Sequence, residues 1–213
     1  ELARQRERAA RWDTLVSVVV PAYRTPGLFL RQMMDSMIQQ TYPNWELCIA
    51  NGSPEDQEMQ EILREYAAKD SRIRYQNLRE NLGIAQNTNA AFAMAKGEFI
   101  GLLDHDDLLA SDALYEIVKA LKEHPQADAI YTDEDKVTTD LQEHFQPHFK
   151  PDFNLDLLRS NNYICHFFTV RRSVVEKAGG FRKEFDGAQD YDFVFRCVEN
   201  SREVLHVPRI LYH

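Results

Sequence analysis

Apolar, β-branched runs and helical patterns take turns along the first 132 residues, and this alternation restricts the fold more than any other feature of the chain. Residues 15–20, 45–50, 72–76, 99–103 and 129–132 read as strands; between them, 28–39, 55–68, 84–95 and 113–122 carry apolar positions at helical spacing. Short connections between successive β-α units predict an α/β fold with a doubly wound, mostly parallel central sheet and helices on both faces. Past residue 132 the regularity fails. Residues 133–156 are polar, contain Pro147 and Pro151, and are expected to form a long functional loop region. Order resumes with a strand over 167–170, helices over 172–178 and 189–199 on either side of a Gly179-Gly180 break, and a strand over 203–207.

The run Phe99-Ile100-Gly101-Leu102-Leu103 breaks without a linker into Asp104-His105-Asp106-Asp107. A strand this apolar is expected to be buried on both faces of a parallel sheet. Its acids then stand at the carboxyl edge, where open α/β sheets bind ligands. Carboxylates this close repel one another, and a hard divalent cation such as magnesium or manganese relieves the repulsion. The same four residues also read as an acidic turn leading into the next helix, with Ser111 and Asp112 as its N-caps.

At 213 residues the chain suits one domain with one sizeable core. The net charge of -9 excludes a general nucleic-acid binder, which needs a basic face. No run approaches the ~20 apolar residues of a membrane span, so membrane contact is expected only through parts of the protein outside this sequence. Cys48, Cys165 and Cys197 are odd in number and lack a Cys-x-x-Cys pair, which reads as buried free thiols in a reducing, cytoplasmic compartment. Residues 1–14 begin as an Arg-rich helical lead from an upstream region, and 15–213 form the domain proper. The ending Leu211-Tyr212-His213 has no turn or cap, as expected of a piece of a longer protein.

Other strand and helix ends carry further candidates. The first strand runs into Pro21-Ala22-Tyr23 rather than a Gly-x-Gly-x-x-Gly turn, which removes the main support for a dinucleotide site. Either Pro21 simply ends the strand, or the Tyr23 ring forms a wall for a nucleobase. The second strand ends in Asn51-Gly52-Ser53: an amide suited to a base edge, or a plain turn. Asn81-Leu82-Gly83-Ile84-Ala85-Gln86-Asn87 opens a helix with dense amides, which suits either a polar ligand at free N–H groups or a capped, packed helix. In Gln189-Asp190-Tyr191-Asp192, the two acids lie about 200° apart around a helix. Asp192 is placed to pair with Arg196. Asp190, in the first turn, is either a proton acceptor from an alcohol or a charge complementing the helix dipole.

Taken in order, these residues resemble family 2 of the inverting glycosyltransferases, whose nucleotide-diphospho-sugar transferase fold is called GT-A. Val16-Ser17-Val18-Val19-Val20-Pro21-Ala22-Tyr23 is similar to that family's first strand, and Gln40-Thr41-Tyr42-Pro43-Asn44-Trp45-Glu46-Leu47 to its link into the second. Asn81-Leu82-Gly83, Lys96-Gly97-Glu98-Phe99-Ile100 and Asp104-His105-Asp106-Asp107 resemble its central block. Tyr131-Thr132-Asp133-Glu134-Asp135-Lys136, Phe149-Lys150-Pro151-Asp152, Asn162-Tyr163, His166 and the final Tyr212-His213 resemble a subgroup of bacterial O-antigen, rhamnan and surface-polysaccharide enzymes.

The resemblance implies transfer of a sugar from a nucleotide-diphosphate donor to a hydroxyl of a glycan or lipid-linked acceptor, at the inner face of the plasma membrane. It implies Asp106 as ligand of Mn2+ or Mg2+, Asp104 near the ribose or the metal, and Asp190 as catalytic base. Pro21, Ala22, Tyr23, Asn51, Asn81, Gly83, Gln86, Asn87, Asp104 and His105 would face the nucleotide. Asp133, Glu134, Asp135, His166 and Gln189 would face the donor sugar or acceptor, and His213 the diphosphate or metal. The family more often has Asp-Asp-Gly-Ser where this chain has Ala50-Asn51-Gly52-Ser53. This departure leaves the base open: Asn51 can bond uracil or thymine, and guanine stays among the candidates; the resemblance as a whole implies UDP before dTDP or GDP. Two other readings differ in class. One is a non-catalytic nucleotide-sugar-binding module of a larger assembly; the other, a sugar nucleotidyltransferase, lacks its Gly-rich arginine loop here.

Overall fold

The computed structural model describes residues 2–213. Its elements run α1 (Leu2–Ala9), β1 (Val16–Ala22), α2 (Gly27–Ile38), β2 (Trp45–Asn51), α3 (Gln57–Lys69), β3 (Ile73–Asn77), α4 (Ile84–Met94), β4 (Phe99–Leu102) and α5 (Ala113–Glu123). There follow β5 (Ala127–Val137), β6 (His144–His148), α6 (Leu155–Ser160), β7 (Thr169–Arg171), α7 (Arg172–Ala178), a 3₁₀ turn (Lys183–Phe185), α8 (Gln189–Glu199) and β8 (Glu203–Tyr212). One sheet takes every strand in the order β3-β2-β1-β4-β7-β5-β6, with β8 beside β5.

The expected β-α alternation holds through α5, and β3, β2, β1 and β4 pair in parallel. Beyond β4 the sheet is mixed. β7 inserts between β4 and β5 and is antiparallel to both, while β8 is parallel to β5. The strand expected over 129–132 runs on to Val137, and residues expected as loop supply β6, its antiparallel hairpin partner. Polarity hid this pair: β6 is mostly exposed and contains Pro147, which an edge strand tolerates.

The period of two along β1 divides the core. Val16, Val18 and Val20 point with Leu47 and Ile49 toward α2, α3 and α5; Val19 points with Cys48, Ala50 and Ile100 toward α4, α7 and α8. Each fully buried Val or Ile contributes about 1.5–3 kcal/mol, so two such faces fix the register of β1. A polar knot ties the four parallel strands at their other end. Glu46 accepts from Ser17 (2.6 Å), from Arg74 (2.5 Å) and from the Lys96 amide, and Ser17 accepts the Gly97 amide at 2.7 Å. Burial opposes ionisation of Glu46, but these donors outweigh it and hold its pKa below the usual value.

α1 packs on the domain. Ala9 is fully buried, Gln5 bonds Thr41 (3.1 Å) and Asp112 (3.4 Å), and Trp12 stacks on Tyr115 at 5.2 Å. The carboxylate of Asp112 accepts from Gln5 and Arg209 and makes no side-chain cap on α5. The three cysteines are free, as expected; Cys48 and Cys197 are buried, whereas Cys165, expected to be buried too, is only partly so. Among the described residues no helix is long and apolar enough to cross a membrane.

Candidate active site

β4 ends at Leu102, and its continuation delivers Asp104 through Asp107 to the carboxyl edge beneath the end of β8. Backbone bonds of 2.9 Å in both directions between Leu108 and His213 fix that approach. The buried Tyr212 hydroxyl donates to Asp107 at 2.5 Å and accepts the Asp104 amide at 3.4 Å. The ring of Tyr212 stacks on His166, centroids 4.9 Å apart and 6° from parallel. The Nε2 of His166 in turn lies 3.7 Å from Asp104. Ligand atoms of Asp104, Asp107 and His166 thus converge within 4.8 Å.

Electrostatics single out two of these carboxylates. Desolvation raises the pKa of Asp104 and of Asp107, with help from the neighbouring carboxylates. Asp104 lines a cavity of about 310 Å3, and its side chain is half exposed. A divalent cation among these oxygens and one imidazole would reverse both shifts, and the donor set fits manganese or magnesium. Asp106 stands apart, half exposed, with His105 Nδ1 at 3.6 Å. It lines the neighbouring cavity of about 530 Å3, along with Asp135 and His213.

A buried ion pair sets the position of His166. Glu134 accepts the backbone N–H of His166 (3.2 Å), pairs with its Nδ1 (3.2 Å) and accepts from Lys150 Nζ at 2.7 Å. Lys150, its side chain fully buried, also donates to the carbonyls of Ile164 (2.6 Å) and His166 (3.3 Å). These bonds brace a segment in which Cys165 and Phe167 have φ of 47° and 45°, a region L-residues seldom occupy. Burial opposes charge on Glu134, yet His166 and Lys150 prevail and bring its pKa down to about 2. Burial likewise opposes charge on His166, while Glu134 and the two aspartates raise its pKa above the ordinary value.

Asp190 sits in the first turn of α8 and accepts from Asn162 at 3.0 Å. It lines a cavity of about 310 Å3 whose other walls include Pro21, Thr88, Asp104, His166 and Gln189. The Oδ1 of Asn162 is buried without a partner among the described residues. Asp192 binds Arg196 at 2.7 Å, as its spacing predicts, and also Arg182.

Several expected ligand-facing residues are occupied within the protein. Asn51 is fully buried; its amide donates to Asn77 (2.9 Å) and accepts from the Ser53 N–H (2.9 Å), so it shapes the loop. Asn87 is buried, donates to Asn81 (2.9 Å) and accepts from the Leu82 N–H, while Asn81 also accepts from Gly83. Ala22 is buried, and its carbonyl accepts the Gly52 N–H at 2.8 Å. Tyr23 lies under the Arg24 guanidinium, and Gln86 remains partly open on α4. The three acids after Thr132 diverge. Asp133 is buried against His206 and the Lys150 N–H (both 2.9 Å), Glu134 holds His166, and Asp135 pairs with His144 and His213. Gln189 accepts the Gly187 N–H at 2.7 Å. Asp107, read from sequence as a lead into α5, and Tyr212 were missed as site members. Asp107 is signalled in the sequence by its place in the acidic run after β4, Tyr212 only by its adjacency to His213.

A mixed sheet with carboxylates at its parallel edge, facing a helix-borne aspartate across a cavity, is the GT-A architecture of nucleotide-sugar transferases. Residues 17–179 match the model of "Glycosyl transferase family 2", and the chain belongs to that family. It is 44% identical to an uncharacterized protein of Sinorhizobium fredii and 38% identical to the O-antigen biosynthesis protein RfbC of Myxococcus xanthus, each over 93% of this chain. It spans only 22% and 16% of their lengths. Two solved structures share the fold. S. aureus TarS in complex with UDP has a TM-score of 0.77 at 21% identity, over 92% of this chain and 59% of that one. The Pyrobaculum calidifontis mannosyltransferase PcManGT, in complex with GDP-Man and Mn2+, scores 0.69 at 20% identity, over 98% and 61%.

Proposed function

We propose that this domain transfers a sugar, with inversion, from a nucleoside-diphosphate donor to a hydroxyl of a glycan or lipid-linked acceptor during synthesis of a bacterial surface polysaccharide. The observation that carries this reading is one cavity lined by Asp104, His166 and Asp190 together. Kinship with RfbC supports the pathway class, and the UDP complex of TarS supports a UDP-sugar as the first donor to test.

In this reading Asp104 and Asp107, with His166 beside them, would hold a divalent cation and through it the donor diphosphate, and Asp106 would join them from its half-exposed position. The cation, when bound, supplies Lewis-acid neutralisation of charge on the departing diphosphate. Tyr212 fixes Asp107, and Glu134 fixes His166, so those ligands need little reorganisation. Asp190 accepts the acceptor hydroxyl proton as that oxygen attacks the anomeric carbon, and Asn162 keeps the carboxylate aimed. A single displacement inverts the centre. The work is placed at the cytoplasmic face of the membrane, where nucleotide sugars and lipid-linked acceptors meet.

Asp190→Asn is the test. Transfer from UDP-sugars to a glycan acceptor should fall about 10²–10⁴-fold, the usual contribution of a positioned base. Calorimetric UDP affinity should stay within twofold. Undiminished transfer would remove Asp190 from the mechanism.

A further inference from the structure

A groove of about 480 Å3 lies between α1 and α5, and the proposed transfer uses none of its residues. Its walls carry Arg4 and Arg8 from α1, Glu116 and Lys119 from α5, and Arg209 from β8. Gln5 and Ala9 turn one face of α1 into the domain, so Arg4 and Arg8, one turn apart, share an exposed flank. Neither arginine is in a salt bridge among the described residues; Arg8 lies over the Trp12 ring at 5.7 Å. Glu116, the one carboxylate in the lining, is 7% exposed at its side chain and takes Arg209 at 2.6 Å and Lys119 at 3.6 Å. Asp112 takes the other arm of Arg209 at 3.2 Å. Arg209 is thereby matched, and Arg4, Arg8 and Lys119 are left in excess. Like charges at i,i+4 also work against the helix, a cost that a bound anion relieves.

We infer that this groove is an attachment site for anionic phospholipid headgroups, through which the domain lies on a membrane surface. Guanidinium forks take phosphate in two parallel hydrogen bonds. Basic residues gathered on a surface helix attract anionic lipid, each raising affinity about fivefold. The net charge of -9 does not cancel the attraction, because charges more than about 8–10 Å away are screened at physiological salt. A protein partner would need an apolar anchor in the groove. The one large apolar side chain in the lining, Tyr115, is instead buried and stacked on Trp12. Leu2, exposed at the start of α1, offers an apolar group to the headgroup layer. The inference revises the expectation that membrane contact lies wholly outside this sequence, and it does not depend on sugar transfer.

Co-sedimentation with vesicles tests it, using phosphatidylcholine alone and a mixture of one part phosphatidylglycerol to two parts phosphatidylcholine. EDTA is kept present so that no metal bridges the carboxylate edge to lipid phosphate. The wild type should bind only the vesicles that contain phosphatidylglycerol, and should release them in concentrated salt. Arg4→Gln/Arg8→Gln, at exposed positions where folding is not at stake, should weaken binding about 25-fold, and Lys119→Gln about fivefold. Arg64→Gln/Arg159→Gln removes the same charge from exposed positions on α3 and α6 and should bind as wild type does. Asp104→Asn/Asp106→Asn should keep vesicle binding while losing Mn2+-dependent UDP binding, which separates failure of this inference from failure of the transferase reading. Equal binding to phosphatidylcholine, an equal loss in the Arg64/Arg159 pair, or calorimetric binding of inorganic pyrophosphate without any vesicle binding would overturn the lipid site.

Discussion

The two halves of the sheet reach the same edge by different means. In the half formed by β3, β2, β1 and β4 every pairing is parallel, so each strand delivers its loop to one side. There Asn51, Asn81 and Asn87 bond mainly to neighbouring loop atoms, giving a rigid platform. In the half formed by β7, β5, β6 and β8 directions mix, and titratable groups from different elements meet: Glu134 with Lys150 and His166, Asp135 with His144 and His213, Tyr212 with Asp107. Local loops can build a backbone cradle. Pairs between separate elements hold titratable side chains at chosen distances.

The sharpest way to break this contrast is Lys150→Met. Removing one partner of a buried pair costs about 3–5 kcal/mol. Here it also strips a donor from the carbonyls of Ile164 and His166. Chemical denaturation should show that loss, and hydrogen exchange should show opening around 164–167 before β1. If β1 opens equally early, the halves are one cooperative unit. Gly97→Ala probes the parallel half. An added Cβ would lie 2.6 Å from Ser17 N and 2.7 Å from the Leu15 carbonyl, both backbone atoms. Overpacking of this kind costs about 1–3 kcal/mol, read as a lowered denaturation midpoint without loss of the residual site.

Asp106→Ala separates the edge from its supports. Mn2+-dependent UDP affinity should fall at least tenfold, about 1.4 kcal/mol, while affinity in EDTA should not change; equal affinities with Mn2+ would remove Asp106 from the metal set. The smallest effect is expected at Asp128, which accepts from Arg202 and Arg171 (both 2.7 Å) at the far end of β5. Its hydrogen bonds to Arg202 lead in lowering its pKa far below the carboxylate range. A depressed folded pKa adds stability above the unfolded value of about 3.9 and loses it as pH falls. The lead of wild type over Asp128→Asn should be full at pH 6 and shrink steadily below pH 4; a lead independent of pH would refute the ion-pair account.

Much of the parallel half was legible in the sequence because its information is local. Period two in 16–20 and helical spacing in 28–39 are written in neighbouring residues, and Asp104 through Asp107 had to emerge where such a strand ends. Asp192 found Arg196 for the same reason: i and i+4 share a helix face. The antiparallel half was less legible because β6 is short, exposed and polar, and a strand that buries nothing leaves no apolar period. Among adjacent acids, composition alone could not tell that Asp133 is buried against His206 while Glu134 and Asp135 serve different clusters.

By itself, then, the sequence determined an α/β domain with acids at the carboxyl edge, the family to which those motifs belong, and the set of polar residues available to a site. Tertiary structure alone decided which of them meet. Insertion of β7 between β4 and β5, and the return of β8 along β5, bring Tyr212 and His166 onto the Asp104–Asp107 turn. The reason is physical: local periodicity encodes which face of an element is buried, but distances between side chains from remote segments depend on strand order and register. Those follow only from packing the whole chain.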